Sequence, residues 1–408
     1  MNKDIAPESS GETRPAQASF FRQPKAVWAV FFACVIAFMG LGLVDPILKS
    51  IAAGLHASTS QVTLLFTSYN AVMAVAMLIT GAISSRLGAK WTLILGVIVI
   101  AVFSALGGLS HNVWQVIGFR AGWGLGNALF VATALVAIIS LSKNGMSKAI
   151  IFYEAAIGLG ISVGPLLGGW LGGFSWRGPF LGVASLMVIA FLAVVILMPS
   201  IKRGPSNNRG TSIAEPFRAM KHRSLVVFGV GAALYNFGFF SILAYAPFVM
   251  NLGVHQLGFV FLGWGVLLAI TSVFVAPKLQ QWMGTVKAMS LMLVLFSALL
   301  LSMGIWTYVN WVPIVMVIIS GALMGNNNTL ITTAVMNAAP VERSTASAAY
   351  SFLRFLGAAV APYLAGKLAA WFNPHVPFIV GSVFVFLAVV FIGLNLDHVK
   401  HVDKVASH

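Results

Sequence analysis

GISVGPLLGG, residues 160–169, and GAAVAPYLAG, residues 357–366, carry one pattern of small residues and proline, repeated 197 positions apart. Each copy stands inside an apolar stretch that is long enough to cross a bilayer as a helix. Other pairs at nearly the same spacing are Tyr153 and Tyr350, Pro179 and Pro377, and Gly126 and Gly325. A common spacing held across several landmarks predicts that the chain consists of two related halves.

The composition is that of a chain embedded in lipid. Hydrophobic residues make up 59% of the 408 and charged residues only 8%, whereas a soluble domain carries roughly a quarter charged residues. Because the core of a bilayer offers the backbone no hydrogen-bond partner, a chain of this kind crosses it as helices of ~20 apolar residues. We therefore predict an all-α membrane protein.

Windows of this length predict twelve spans, six on each side of a polar segment. The predicted spans are residues 26–48, 60–82, 91–110, 113–141, 147–172, 178–198, 224–250, 257–282, 288–308, 311–337, 345–371 and 376–396. The resulting parts of the chain are an N-terminal tail (1–25), a first six-helix half (26–198), a central loop (199–223), a second six-helix half (224–396) and a C-terminal tail (397–408). Transporters built as two such halves place their substrate site between the halves, near the middle of the membrane.

The positive charge of the chain predicts its orientation. Of the 24 lysines and arginines, 19 fall in segments on the side of the two termini, three fall on the opposite side, and Arg120 and Arg354 fall within spans. Basic residues are enriched on the cytoplasmic side of a membrane, so we expect a multi-pass protein of the plasma membrane with both termini in the cytoplasm. The net charge of +15 is thereby assigned to topology and to contact with anionic lipid headgroups, and nucleic acid is not an expected partner.

Gly160, Gly164, Pro165, Gly168 and Gly169 resemble the G-x-x-x-G-P-x-x-G-G signature of the twelve-span drug:proton antiporters of the major facilitator superfamily. Small residues let this span pack closely on a neighbour, and the proline bends the helix. The resemblance covers nearly the whole chain. It implies the major facilitator fold, a monomer, and export of drugs in exchange for protons by alternating access.

Two further motifs are similar to those of the superfamily. Arg120 and Gly124 match its R-x-x-x-G motif in the fourth span. The residues that match the pattern G-x-L-x-D-R-x-G-R-K after the second span are Gly81, Arg86, Gly88 and Lys90. Ser85 stands in place of the acid of this pattern, and Ala89 in place of its second arginine. In the family that acid helps to hold the two halves in the outward-facing state, so the resemblance does not extend to this lock.

Asp45 and Glu154 are the only acidic residues that fall within predicted spans, where a charge costs about 2.5 kcal/mol or more and is functional by default. Asp45 and Arg120 should lie at similar depth, because the first and fourth spans run in opposite directions, and we expect an ion pair. In the resembling antiporters, an acid of the first span and this arginine take part in proton coupling; the alternative is a static bridge that fixes helix packing. Glu154 is a candidate proton carrier or a counter-charge for a cation, unless it reaches cytosolic water near Lys148.

Polar and aromatic side chains within the spans are candidates for contact with a substrate. They are Tyr69, Asn70, Asn127, Tyr153, Tyr235, Asn236, Trp264, Asn327 and Arg354. Asn326, Asn327 and Asn328 point about 100° apart on a helix, so at least one of them should face a neighbour or water. Arg354 either recognises an anionic group or braces the inner gate. Tryptophans near span ends are predicted to be interfacial anchors: Trp28, Trp91, Trp114, Trp306 and Trp311.

A cavity with few fixed charges suits loose recognition of lipophilic small molecules, so we predict a proton-driven exporter of amphipathic compounds. The alternative within transport is a dedicated exporter or symporter of a single metabolite, sugar or siderophore, which a dense set of fixed polar contacts would favour. An enzyme is disfavoured because all eight histidines fall in loops, at span ends or in the tail, and no cluster suggests a metal site. Without a phosphate-binding glycine-lysine loop, we expect no cofactor, no metal, no catalytic residue and no direct use of ATP.

Overall fold

The computed structural model describes residues 23–142, 146–199, 214–338, 341 and 343–405. Most of the predicted N-terminal tail (1–25) and of the predicted central loop (199–223) lies outside these residues. Within them the chain forms helices and turns and no β-strand.

Twelve long helices make up most of the described chain, and each is long and apolar enough to cross a membrane. They are α1 (Lys25–Gly54), α2 (Thr59–Leu87), α3 (Ala89–Gly108), α4 (Val113–Leu141), α5 (Met146–Phe174), α6 (Gly178–Leu197), α7 (Arg223–Val249), α8 (Val254–Met283), α9 (Thr285–Ile305), α10 (Trp311–Ala338), α11 (Arg343–Trp371) and α12 (Val376–Leu394). Three short helices accompany them, at Glu215–Ala219, Leu396–Val399 and His401–Val405. The predicted spans are thus confirmed, with ends that differ by a few residues.

Two of the long helices are interrupted next to a proline. In α1 a 3-10 turn, Asp45–Ile47, separates the regular segments Lys25–Gly42 and Leu48–Gly54. In α8 a π-helical segment, Thr271–Val275, precedes Pro277. Proline has no backbone N–H and its ring clashes with the carbonyl one turn earlier, so the regular helix is disrupted at both places.

The two halves repeat the same helix packing. A Cβ placed on Gly160 of α5 would lie 2.5 Å from the Val35 carbonyl oxygen of α1, and one placed on Gly357 of α11 would lie 2.1 Å from the Ala233 carbonyl oxygen of α7. The glycines are 197 positions apart and their partners 198. The repeat in the sequence is therefore also a repeat in the structure, in which α5 packs on α1 as α11 packs on α7.

The glycines of the 160–169 stretch place α5 between its own half and the other half. Cβ atoms on Gly164 and Gly168 would lie 2.5 and 2.2 Å from backbone oxygens of α1, those of Met39 and Leu43. On the other face of α5, a Cβ on Gly169 would lie 2.9 Å from a backbone oxygen of α8. Only residues without a side chain allow two helix backbones to approach so closely.

The two halves also meet at the end of the bundle opposite the chain termini, here called the distal end, where α1 and α7 end and α2 and α8 begin. There Lys49 Nζ of α1 donates a hydrogen bond to the Met250 carbonyl at the end of α7, at 2.5 Å. A Cβ on Gly366 of α11 would lie 2.9 Å from Ser60 Cα of α2. Contacts between α1 and α7 and between α2 and α11 therefore join the halves at the distal end.

Two glycines begin equivalent helices at the end of the bundle that carries the termini. Gly88 before α3 and Gly284 before α9 have φ angles of +85° and +84°, which glycine adopts without strain. Lys90, just after the first of them, donates hydrogen bonds from Nζ to the Met198 carbonyl and, at 3.4 Å, to the Val195 carbonyl. The lysine thereby satisfies carbonyl groups at the C-terminal end of α6, which have no partner within the helix.

Residues 397–405 of the predicted C-terminal tail are folded against the second half. Asp403 Oδ1 accepts a hydrogen bond from the Thr285 backbone N–H at the start of α9, at 2.6 Å. His401 Nε2 lies 3.2 Å from the Ala338 carbonyl oxygen at the end of α10, and Val402 is fully buried. These side chains contact backbone groups at the start of α9 and at the end of α10, which have no partner within the helices, so this segment ties α9 to α10.

Gly164→Ala adds a Cβ that meets the Met39 carbonyl at 2.5 Å, so α5 must move away from α1. We expect a lower thermal midpoint, because overpacking costs about 1–3 kcal/mol. The midpoint is measured in detergent with a thiol-reactive dye, since Cys34 is the single cysteine and is buried until the protein unfolds. The control is Gly118→Ala in α4, whose Cβ has no neighbour within 4 Å and which should keep the wild-type midpoint. Equal midpoints for the two variants would contradict the close packing of α5.

Candidate functional site

Arg120 of α4 is a buried cation held between two aromatic rings. Its Cζ lies 4.5 Å from the ring centroid of Tyr69 in α2 and 4.3 Å from the ring centroid of Trp123, and the residue is 1% exposed. Trp123 follows Arg120 by three positions, so the two side chains share one face of α4. Nη2 of Arg120 donates a hydrogen bond to the Gly40 carbonyl of α1 at 3.0 Å. Stacking and one carbonyl therefore hold this charge in the protein interior.

Asp45 occupies the break in α1 and is fully buried. Neither of its carboxylate oxygens has a hydrogen-bond partner among the described residues, and neither lies within 4.0 Å of a guanidinium nitrogen of Arg120. The expected ion pair is therefore not formed in this conformation. The reason is that Arg120 bonds to the Gly40 carbonyl instead, while its Nε and Nη1 have no hydrogen-bond partner among the described residues.

Tyr69 and Asn127 form a hydrogen bond that joins α2 to α4 beside Arg120. Asn127 Nδ2 donates to the Tyr69 phenol oxygen, while Asn127 Oδ1 is buried and has no partner among the described residues. The neighbouring Asn70 turns back on its own helix, where its Nδ2 donates to the Phe66 carbonyl at 2.9 Å. The structure thus brings Tyr69 and Asn127 together with Arg120 in one cluster of the first half.

A second polar cluster, in the other half, centres on Asn328 of α10. The Tyr235 phenol of α7 donates a hydrogen bond to Asn328 Oδ1, and Nη2 of Arg354 in α11 donates to the same oxygen at 3.4 Å. Asn236 instead donates to a carbonyl one turn earlier in α7, at 2.9 Å. The sequence prediction named Asn327 as a substrate contact, which stays a prediction; its amide has no hydrogen-bond partner among the described residues, and Asn328 joins the three helices. Three consecutive residues point in three directions, so only the rotation of α10 against its neighbours decides which amide makes contact.

Aromatic side chains lie about one helical turn from both clusters. Phe66 of α2 packs edge-on against Phe240 of α7, with 6.5 Å between ring centroids, and so connects the halves. Trp264 of α8 stacks on Phe239 at 5.8 Å, with 24° between the ring planes. The sequence prediction included Trp264 and missed the phenylalanines, because the chain has 30 of them and an apolar side chain carries no signal that separates a cavity from a packing interface.

Of the two predicted site residues of α5, the structure describes the side chain of Tyr153 only. Tyr153 packs against Phe38 of α1 with 6.2 Å between ring centroids, and its hydroxyl donates to the Val131 carbonyl of α4 at 3.4 Å. The side chain of Glu154 lies outside the described part of the structure, so its role as a proton carrier stays a prediction.

Asp45, a protonatable acid, and Arg120, a permanent cation, are both buried in the first half. Asp45 can take up or release a proton, whereas an arginine stays charged in proteins. Among the described residues, no group of three or more potential ligands could hold a metal ion. The chemistry available from these side chains is proton exchange at Asp45 together with polar and aromatic contact to a small molecule.

The sequence is similar to those of proteins named for drug efflux and drug resistance. The family profile described as Major Facilitator Superfamily matches residues 30–362 and 251–407. The multidrug efflux protein YfmO of Bacillus subtilis (strain 168) is 54% identical over 92% of this chain and 94% of its own length. The quinolone resistance protein NorA of Staphylococcus aureus (strain MRSA252) is 25% identical over 86% of this chain and 91% of its own.

Solved structures of the same fold are transporters with low sequence identity to this chain. A bacterial homolog of the human lysosomal transporter Spinster, in an inward-facing and unoccupied conformation, has a TM-score of 0.74 at 16% identity over 93% of this chain and 98% of its own. The human organic anion transporter MFSD10 has a TM-score of 0.66 at 18% identity over 90% of this chain and 99% of its own. At these identities the likeness concerns the fold alone.

Arg120→Lys removes the planar group that stacks between two rings, and leaves a compact ammonium in the same buried space. We expect a clear fall in the thermal midpoint, since a desolvated cation–π contact contributes about 2 kcal/mol. The matched control is Arg177→Lys, because Arg177 stacks on one ring, that of Trp176 at 4.4 Å, and is only half-buried. It should lose much less stability. A midpoint of Arg120→Lys equal to that of the control would contradict the importance of the double stack.

Proposed function

Because the chain belongs to the Major Facilitator Superfamily, we propose that it is a secondary active transporter that exports amphipathic small molecules in exchange for protons by alternating access. Its 54% identity to a protein named for multidrug efflux supports drugs as the substrate class. The observation that carries proton exchange is Asp45, a fully buried acid in the break of α1 whose oxygens have no hydrogen-bond partner among the described residues.

The protonation state of Asp45 determines which partner Arg120 binds. When Asp45 is ionised, the attraction of the guanidinium favours a direct ion pair. When Asp45 carries a proton, Arg120 donates a hydrogen bond to the Gly40 carbonyl and contacts the rings of Tyr69 and Trp123, as it does here. Movement of Arg120 between these partners would shift α4 against α1. Such a two-state element is what links proton binding to a change of conformation.

Alternating access is supported by the symmetry of the bundle and by its distal contacts. Two halves with the same internal packing can rock against each other around a central site. We propose that the distal end faces the outside of the cell, with both termini in the cytoplasm, as the distribution of basic residues favours. The bond between Lys49 and the Met250 carbonyl then joins the two halves on the outer side. The protein would act as a monomer in the plasma membrane, with residues 26–198 and 224–396 as its two moving halves.

Loose recognition of lipophilic compounds is supported by the hydrogen bonds that polar side chains form with one another within each half. Tyr69 is bonded to Asn127 and Tyr235 to Asn328, so part of the polar inventory is already satisfied within each half. The side chains that remain available to a ligand are largely aromatic and include Trp264. Such a surface suits substrates of varied shape.

A dedicated exporter or symporter of one metabolite, sugar or siderophore is the second candidate. The observation that favours it is a set of buried amide oxygens that accept no hydrogen bond from the described residues. They are those of Asn70, Asn127, Asn236, Asn326 and Asn327. A substrate with several hydroxyl groups would satisfy such acceptors. Transport of a chemically varied set of drugs by the purified protein would exclude this candidate.

Asp45→Asn keeps the size of the side chain and removes its ability to exchange a proton. In liposomes with an imposed pH gradient and an internal pH dye, we expect substrate-dependent proton flux to fall to the rate of protein-free liposomes. Asp397→Asn is the control: Asp397 is exposed, and a hydrogen bond from Lys400 at 2.6 Å holds the pKa of its carboxyl below the usual range. It should transport at the wild-type rate. Full proton flux in Asp45→Asn would remove this residue from the coupling and leave Glu154 as the candidate.

The charge of the substrate determines which part of the proton gradient drives its export. A neutral compound exchanged for one proton moves one charge, whereas a monovalent cation exchanged for one proton moves none. A potential of ~100 mV without a pH gradient should therefore raise accumulation of a neutral drug by up to about fiftyfold, from ~2.3 kcal/mol per charge. Protein-mediated accumulation of a monovalent cation, measured against protein-free liposomes, should not respond. A response of the cation as large as that of the neutral drug would contradict exchange of one proton per substrate.

A further inference from the structure

A cavity of about 360 Å³ lies at the distal end, between the two halves and away from both polar clusters. Its walls come from the first turns of α2 and α4 in one half and from the last turns of α11 in the other. The residues that matter for its chemistry are Ser60, Gln61, Leu64, Trp114, Tyr363 and Lys367. None of the described residues that line it is acidic.

The first half supplies hydrogen-bond donors to this cavity. Ser60 is 9% exposed and lines the cavity, and its hydroxyl has no hydrogen-bond partner among the described residues. Gln61 accepts a hydrogen bond at Oε1 from the Ser58 backbone N–H, at 2.8 Å, which leaves its Nε2 as a donor. Both residues lie in the first turn of α2, where Ser58 accepts a hydrogen bond from the Gln61 backbone N–H and the helix dipole favours negative charge.

The second half supplies the positive charge. Lys367 lies one turn before the end of α11, and its Nζ is 5.7 Å from the ring centroid of Tyr363 and 6.0 Å from that of Trp371. The aromatic rings hold the ammonium at the cavity while its stem packs along the helix. A cation facing donors across a cavity without an acid is the arrangement that recognises an oxyanion.

Two tryptophans indicate the depth of the cavity in the membrane. Trp114 and Trp371 are 60% and 64% exposed and lie at the ends of membrane-spanning helices, which is where indole rings settle among lipid headgroups. Leu64 lines the cavity one turn deeper along α2, in the direction of the acyl chains. An oxyanion found at headgroup depth with apolar surface below it is a phospholipid phosphate.

We propose that this cavity binds the phosphate of an anionic phospholipid, with Lys367 as its counter-charge and Ser60 and Gln61 as hydrogen-bond donors. The site joins the two halves, because Ser60 packs on Gly366 of α11, where a Cβ would lie 2.9 Å from Ser60 Cα. A lipid bound there contacts α2 and α11 together and stabilises the arrangement in which the distal end is closed. A ligand that binds one conformation better than another shifts the population toward it.

The test measures lipid binding and needs no transport, so its failure is separate from a failure of the proposed function. Full-length protein in detergent is titrated with phosphatidylglycerol or phosphatidylcholine and the bound lipid is counted by native mass spectrometry. A photoreactive phosphatidylglycerol then identifies the peptides that it labels. We expect tighter binding of phosphatidylglycerol and labelling of peptides that contain residues 58–64 and 363–371.

Lys367→Gln should weaken the tightest phosphatidylglycerol binding by about fivefold, and Ser60→Ala should weaken it less. Lys367→Arg keeps the charge and should keep the affinity, so a general loss of folding would be recognised. Lys278→Gln, which removes an exposed lysine of α8 at the other end of the bundle, should bind as the wild type does.

Unchanged affinity in Lys367→Gln, or equal binding of the two lipids by the wild type, would overturn the proposal. Displacement of phosphatidylglycerol by millimolar inorganic phosphate would also overturn it, since the site would then select a free anion.

Discussion

Close backbone contact through glycine is the interaction on which the rest of this structure depends. Lipid provides no hydrophobic force that brings helices together, so their association relies on van der Waals packing at short range. α5 uses this packing on two faces, with Gly164 against α1 of its own half and Gly169 against α8 of the other half. One helix therefore both holds a half together and forms part of the boundary across which the halves must move. The interruption of α8 at Thr271–Val275 places an irregular segment in the partner helix of that boundary.

The two buried charges differ in what they contact. Arg120 has two aromatic rings and the Gly40 carbonyl, whereas the oxygens of Asp45 have no hydrogen-bond partner among the described residues. An ionised carboxylate without a partner is costly to bury, and two events remove this cost: uptake of a proton, or movement of Arg120 to the acid. In the proposed function each event favours a different position of α4 relative to α1, so that the pair acts as a switch.

Each half contains a hydrogen bond between a tyrosine and an asparagine on neighbouring helices. Tyr69 with Asn127, and Tyr235 with Asn328, satisfy one another inside their own half, and Arg354 shares the second of these clusters. The tyrosine–asparagine bond of each half can therefore stay intact while the halves move, whereas contacts at the edge between the halves must break. Lys49 with the Met250 carbonyl is one such contact. The cavity beside Lys367 lies on the same edge, where a bound lipid would add to the closing of the distal end.

The amino-acid sequence by itself determined the helical membrane fold, the twelve spans and the two-half repeat, because lipid allows few backbone structures and the small-residue pattern recurs at one spacing. It also named Asp45, Arg120, Tyr69, Asn127, Tyr235 and Arg354 as candidates for proton coupling or substrate contact, because polar side chains are rare in apolar spans. The tertiary structure decided what those residues contact. It showed that Arg120 bonds to the Gly40 carbonyl and not to Asp45, and that Asn328 is the asparagine that bonds to Tyr235. It also showed that Phe239 and Phe240, among 30 phenylalanines, are in contact about one helical turn from Tyr235. These outcomes depend on the rotation and depth of each helix against its neighbours, and a periodic apolar sequence leaves both undetermined.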